Sequence, residues 1–254
     1  MALTITTQPD IEQHLRDLGL SRGAKVIVHS ALIHFGMIQD GPAGVYRAMR
    51  EVIGDEGTIV VPTYLLGASP QLVFDPRNTP SLACGSFSEY VRTLEGSIRS
   101  QCPLHNHSGI GPDAKVLETV DGSASLGAGS DFDVLYEAGF STLLLGCPFP
   151  DGATFIMHFE AMAEVPFREW TNLERTVVNA DGSSRTHSCR YYERKSNDLV
   201  EDLNIVRDIL EAAEAFTIAK CGRAESLLLA GSAYKMTLEA LIKDPELTLG
   251  AKRP

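Results

Sequence analysis

Residues 142–145 (TLLL) make a run just long enough for one buried strand, and it stops at Gly146, where the turn residues of PFPDG take over. A helix restarts at Thr154, a good N-cap residue. It carries Phe155, Phe159 and Met162 on one face, Glu160 and Glu164 on another, and His158 in its first turn. In open α/β sheets ligands bind in the crevice beyond the carboxyl ends of the strands, so a histidine and carboxylates placed there are candidates for chemistry. An ordinary half-buried helix face is the competing reading.

The same strand-to-helix alternation opens the chain. Residues 25–29 (KVIVH) read as a first buried strand, followed by a glycine-bearing transition and a helix over 42–52. Asp40 or Gly41 caps that helix, Pro42 lies in its first turn, and Gly54 closes it. Residues 58–61 form a second strand ending at Pro62 and Thr63. The first sixty residues therefore read as a βαβ-like unit with parallel pairing, preceded by an amphipathic helix over 10–20.

Residues 64–83 form a long proline-rich connection containing FDPRNTP, and Ser86 with Glu89 reads as the capping box of a helix over 87–94. The loop RSQCPLHNHSGIGPDA precedes short helices near 114–119 and 133–138. After Trp170, residues 176–178 and 187–191 alternate around Asp181-Gly182 as a β-hairpin, and the chain from 198 onwards reads as helix-rich. The economical organisation is one α/β domain over 1–254, with a core of 10–170 and a C-terminal α+β portion of hairpin and helices over 171–254.

Composition narrows the class of function. No run of about 18 apolar residues is present, and the first ten residues lack the basic-then-apolar pattern of a secretion signal, so a cytoplasmic protein is expected. Five scattered cysteines without a C-x-x-C pair argue for reduced thiols. A net charge of -11 disfavours nucleic acid and anionic membranes, and it favours a cationic small molecule.

Two clusters carry candidate chemistry. The strand-end loop at His29, Ser30, Ala31 and Leu32, with Gly36 and Gly41, can offer backbone amides to a phosphate or a carbonyl, yet it matches neither the P-loop nor the dinucleotide fingerprint. The second cluster is Cys102, His105 and His107 in CPLHNHSG. Completed by His158 or a carboxylate, it would suit a metal-assisted hydrolase; a single tight cluster is not an ordinary zinc signature, so no metal is expected. Histidines in an irregular glycine-rich loop suit general acid–base work better. A Cys102 nucleophile is disfavoured by Pro103 and by the lack of a helix N-terminus behind it.

The order of motifs is more specific than any one of them. VHSAL, G-x-x-x-x-GP, VVPTY, FDPxxTP, Gly85 with Glu89 and Arg92, RSxCPLH, Gly111 with Ala114, and LLLG followed by T-x-x-x-H-x-E together resemble the aminoglycoside 3-N-acetyltransferase family over about residues 10–170. The resemblance implies a three-layer αβα fold with a central mixed sheet, acetyl-CoA as co-substrate, and an amine-bearing, cationic, sugar-like acceptor. An oligomer is compatible with it. It further implies that the pantetheine arm lies against Ser30, Ala31, Leu32 and Gly36, with Thr63 and Ser100 at further cleft positions. A histidine backed by a carboxylate would take the amine's proton, and amides of the strand-end loop would meet the developing oxyanion.

The chain departs from that family pattern at the places closest to the chemistry. Cys102 stands at a usual histidine, Asn106 at a usual serine and Asp131 at a usual proline. The family's T-x-x-H-x-x-E puts Met157 at the histidine position and Glu160 at the glutamate, with His158 one place late. At about 100° per residue, His158 and Glu160 point about 200° apart on a regular helix and cannot pair. Either the helix starts late or bulges, or the base has moved to His105 or His107 with Glu160 as partner, or the activity is lost and a CoA-binding homologue remains. A preserved but rewired site built from His158, Glu160, His105 and His107 is the preferred expectation. Asp75 and Asp131 read as loop carboxylates that could greet a cationic acceptor, and Phe167 and Trp170 as packing beside the site.

Overall fold

Thr7 and Asp10 close a reciprocal capping box at the start of α1 (Gln8–Asp17), which follows the two-residue strand β1 (Ile5–Thr6). The structure, a computed structural model, describes residues 5–250 apart from 68 and 70. β2 (Lys25–Ser30) leads through a 3-10 turn (Leu32–Phe35) and β3 (Met37–Ile38) into α2 (Gly41–Ile53) and β4 (Thr58–Pro62). β2 and β4 pair in parallel, which makes the βαβ unit expected from the sequence.

The middle of the chain holds more strand than its residues advertise. β5 (Val73–Phe74) lies inside the proline-rich connection, and β6 (Ile98–Arg99) and β7 (His107–Ile110) lie inside the segment expected to be loop. Helix α3 (Gly85–Arg92) starts without the expected capping box. Its N-cap is Cys84, and the Glu89 carboxylate instead accepts from the Ser81 N–H at 2.7 Å and from Arg92 Nε at 2.8 Å. A 3-10 stretch (Pro112–Thr119) and α4 (Asp131–Glu137) precede β8 (Ser141–Leu145), α5 (Phe149–Gly152) and α6 (Phe155–Met162). The hairpin is longer than expected, with β9 (Arg168–Val178) paired to β10 (Ser184–Arg194) over eleven residues each.

The region from 198 onwards is a correction. Besides α7 (Asn204–Ala212) and α8 (Gly231–Lys243) it contains β11 (Phe216–Cys221) and β12 (Ala224–Leu229), and β12 pairs antiparallel to β8. The leucines of β12 favour helix over strand on local preference alone, and only the open edge of β8 recruits them into the sheet.

The central sheet runs β11-β12-β8-β2-β4-β7-β6, with a parallel trio β8-β2-β4 flanked by antiparallel strands. Side chains alternate across it. Val26, Val28, Ile59, Val61, Leu143 and Leu145 pack under α1, α2 and α3, while Ile27 and Val60 face α4 and Leu144 faces α6 and α8. This is the three-layer arrangement with a mixed sheet. It brings the carboxyl ends of β2, β4 and β8 to one edge, and because β7 runs antiparallel, its first residue His107 pairs with Pro62 at that same edge. Among the described residues no helix is long and apolar enough to cross a membrane.

Candidate active site

Two cavities open at that edge. One, of about 530 Å³, is lined by Ser30 and Ala31 after β2, Tyr64 after β4, Gly85 opening α3, and Thr154 and Met157 on α6. The other, of about 290 Å³, is lined by Arg168, Leu173, Tyr191, Tyr192 and Glu193 at the base of the hairpin. His105 and Met157 line both, so the two cavities meet at these side chains. The wall depends on Gly146 at φ +61°: a Cβ there would fall 2.7 Å from the Phe35 ring and 3.2 Å from the Ala31 carbonyl oxygen. Any other residue would push β8 away from the strand-end loop.

Of the residues expected to hold the cofactor, Ser30 and Ala31 line the larger cavity. Leu32 is partly buried in the 3-10 turn, and Gly36 closes that turn with φ +74°. Thr63 is fully buried and donates to Asn106 Oδ1 at 2.8 Å, tying β4 to the segment before β7. Ser100 is buried too, with its N–H donating to the His107 carbonyl and its hydroxyl unpartnered. The Ala31 amide donates to the Leu145 carbonyl at 3.0 Å, so it is not free to meet an oxyanion.

Helix α6 is regular from Phe155 and therefore neither starts after His158 nor bulges. Met157 faces the cavities. His158 is turned into the aromatic cluster of Phe132, Tyr136 and Phe159, and its Nδ1 accepts from the Gly127 N–H at 3.2 Å. Burial pushes its pKa down to about 4. Glu160 does not back any imidazole: its carboxylate accepts from Arg168 Nε at 2.8 Å and from the Thr248 hydroxyl at 2.7 Å. Arg168 also pairs with the half-buried Glu201, and Glu160, Arg168 and Thr248 are buried at the foot of β9. Burial raises the Glu160 pKa, against the opposing pull of Arg168. Thr154 sits at the N-cap position without a capping hydrogen bond, and its side chain lines the larger cavity together with Tyr64.

The opposite wall is built by β4, β7 and the residues between β6 and β7. His105 is 7% exposed and its Nδ1 is buried without a hydrogen-bond partner. Desolvation, assisted by His107 and Arg168, pushes its pKa down to about 3, and His29 at the end of β2 is held at about 3 for the same first reason. Both imidazoles are neutral near pH 7. His107 is fully buried, with Nδ1 3.1 Å from Asp131 Oδ2 and Nε2 3.4 Å from the Tyr64 hydroxyl. Asp131 is thus no loop carboxylate facing an acceptor but a buried partner of His107. Asp75 likewise staples its own turn by accepting from the Arg77 N–H and from Asn78.

Cys102 packs against Cys189, Leu104 and Leu173, and burial beside Cys189 raises its pKa well above the usual thiol range. Among the described residues no group of three or more His, Cys, Asp or Glu side chains could hold a metal ion. Phe167 is buried in the core, and Trp170 packs on Tyr192 with Arg190 over its ring at 4.5 Å. The sequence marks Met157 only as the residue at the usual histidine position and gives Tyr64 and Arg168 no site role. Tyr64 had a local signal, since it follows the end of β4; Arg168 and the hairpin tyrosines had none before the chain was folded.

A model of the aminoglycoside 3-N-acetyltransferase family matches residues 27–240. Aminoglycoside N(3)-acetyltransferase VII of Streptomyces paromomycinus is 28% identical over 84% of this chain and 78% of its own length. Aminoglycoside N(3)-acetyltransferase III of Salmonella sp is 26% identical over 77% and 73%. Among solved structures, that of AAC-IIIb in a binary complex with CoASH superposes with a TM-score of 0.85 at 24% identity, covering 99% of this chain and 100% of that one. AAC(3)-IVa as the apoenzyme gives 0.80 at 25% identity, with 98% and 93% covered.

Proposed function

The chain belongs to the aminoglycoside 3-N-acetyltransferase family, and from that premise we propose that it transfers the acetyl group of acetyl-CoA to an amino group of a cationic aminoglycoside or amino-sugar-like acceptor. The observation that carries this reading is the pair of cavities meeting at His105 and Met157. The pantetheine arm takes the larger one, against Ser30 and Ala31. The acceptor takes the smaller one, where Glu193 and the rings of Tyr191 and Tyr192 suit an ammonium-bearing sugar and the lining Arg168 and Arg194 are paired with Glu160 and Glu201. Relatives of this fold are known with CoASH and, for AAC-VIa, with sisomicin.

His105 supports the reaction as a hydrogen-bond donor. An orphaned N–H costs more in a protein interior than an unmatched lone pair, so the buried Nδ1 is the bare nitrogen and the proton is on Nε2. That Nε2–H is the donor available to the thioester oxygen as charge builds on it, a task the Ala31 amide cannot take. The depressed pKa that makes His105 a weak base suits this role, because the ring stays neutral and keeps its tautomer.

The test is thiol release from acetyl-CoA across a panel of amines that includes aminoglycosides and amino sugars. The expected result is turnover with at least one cationic amino sugar. CoA binding with no release from any amine would replace the transferase by a CoA-binding homologue.

A further inference from the structure

We propose that Tyr64 is a catalytic residue, the end of a proton relay in which His107 and Asp131 are the positioning residues behind it. The inference deepens the acetyl-transfer reading and rests on it. Tyr64 lines the larger cavity with Thr154, and its ring lies 5.1 Å, centroid to centroid, from that of His105, where the two cavities meet. Behind it, Tyr64 Oη is 3.4 Å from His107 Nε2, and His107 Nδ1 is 3.1 Å from Asp131 Oδ2. Asp131 Oδ2 also accepts from the His107 N–H at 2.8 Å, which fixes the two residues to each other.

The direction of the chain follows from what each group can do. A carboxylate only accepts, so His107 Nδ1 carries the ring proton and Nε2 is bare. Tyr64 then donates its single proton to Nε2, leaving the lone pairs of the phenol oxygen for a ligand. His107 and Asp131 are both wholly buried, and Asp131 Oδ1 has no partner. A buried carboxylate oxygen left unmatched is costly, and a purely structural pair would be expected to satisfy it. What it provides is a negative charge fixed beside an imidazole that has to become positive during the reaction.

In the step proposed, the reacting nitrogen enters as the neutral amine, its ammonium proton having been lost to solvent before binding, and the one proton it sheds on attack goes to Tyr64 Oη as the Tyr64 proton passes to His107 Nε2. The nitrogen lone pair forms the C–N bond to the thioester carbonyl carbon, and the C–S bond breaks with its electron pair on sulfur. The thiolate then recovers a proton from His107 through Tyr64, so the relay ends as it began. No ionisable group on α6 can serve in its place, since His158 faces the aromatic core and Glu160 is held by Arg168 and Thr248.

The test uses the full chain with acetyl-CoA and the amine that wild type turns over best. Tyr64→Phe and Asp131→Asn are each expected to lower kcat by roughly 100-fold or more, with the KM for acetyl-CoA changed by less than ~3-fold because the first keeps the ring that lines the cavity and the second lies behind it. Nitrogen-15 spectra of the histidines are expected to show His107 protonated at Nδ1, with its Nε2 resonance moving in Tyr64→Phe. If Asp131→Asn does not fold, Tyr64→Phe, which removes one oxygen, carries the kinetic arm. A wild-type kcat in folded Tyr64→Phe, or a His107 proton found on Nε2, would overturn the relay while leaving acetyl transfer standing. Wild-type protein that releases thiol with no amine would overturn the transferase reading and the relay's catalytic role together.

Discussion

The two walls of the cleft use similar residue types to opposite ends. On the helix wall, His158 accepts from a backbone amide inside an aromatic cluster, and both Glu160 oxygens are matched by Arg168 and Thr248. On the strand wall, His105 Nδ1 and Asp131 Oδ1 are buried without partners, and Tyr64, whose hydroxyl meets His107, lines the larger cavity. Satisfied polar groups hold a fold together, whereas unsatisfied ones at a cavity mark where a ligand or a moving proton completes the set. The difference teaches that the site residues are to be sought by what their polar atoms lack rather than by residue type.

The largest effect expected from this contrast is an acid instability shared by both walls. Burial holds His29 and His105 at about 3 and His158 at about 4, against 6.5 for a free imidazole. As pH falls below 6.5 the unfolded chain takes up protons that the folded one refuses, so each ring removes about 1.4 kcal/mol of stability per pH unit. Stability is therefore complete above pH 6.5 and lost as the pH falls toward the folded values. Between pH 6.5 and 5 the three rings should together remove on the order of 6 kcal/mol. Denaturant melts at these pH values check this, and His158→Phe should recover about a third of the loss. A flat profile would show that neither wall keeps its imidazoles dry.

Next in size is the helix-wall ion pair. Glu160→Ala leaves Arg168 with only Glu201 as a charged partner in a buried place, which should cost roughly 3 kcal/mol in denaturant melts. On the strand wall, His105→Ala should do the reverse. Its expected signature is a fall in kcat of about 100-fold, the usual scale for losing one oxyanion donor, with a stability loss of no more than ~2 kcal/mol, since the ring gives up its packing on Tyr64 and Phe132 but breaks no Nδ1 hydrogen bond. A His105→Ala protein that melts early and turns over normally would place His105 with the structural residues and erase the contrast.

How far the sequence revealed all this follows the same division. The parallel strands and the helices α1 and α2 were readable because their apolar period and caps are local, and the mismatch of His158 with Glu160 could be computed from helix geometry alone. β6 and β7 were not, since β6 is only two residues long and the four of β7 include Ser and Gly, which leaves no period to detect. β12 was missed because leucine signals helix until a neighbouring edge is known. In the site, motif order points to Ser30, Ala31 and His105, and these residues line the larger cavity. The pairing of His107 with Asp131 spans 24 residues and that with Tyr64 spans 43, so no local spacing could reveal either.

The smallest expected effect is the most discriminating, because it asks whether the helix wall could do chemistry if given the residue it lacks. Met157→His places an imidazole where both cavities meet, three residues before Glu160 and on the same helix face. The missing element is then no longer the ring but its support. Both Glu160 oxygens are already engaged, and freeing one would mean leaving Arg168 or Thr248 unmatched in the interior, at a cost of about 1–3 kcal/mol. An unsupported ring fixes neither tautomer nor orientation, so kcat for Met157→His is expected to stay within ~3-fold of wild type. A tenfold rise, measured by thiol release, would mean that Glu160 yields to a better partner, and the helix wall would have to be counted as a dormant half of the site rather than as scaffold.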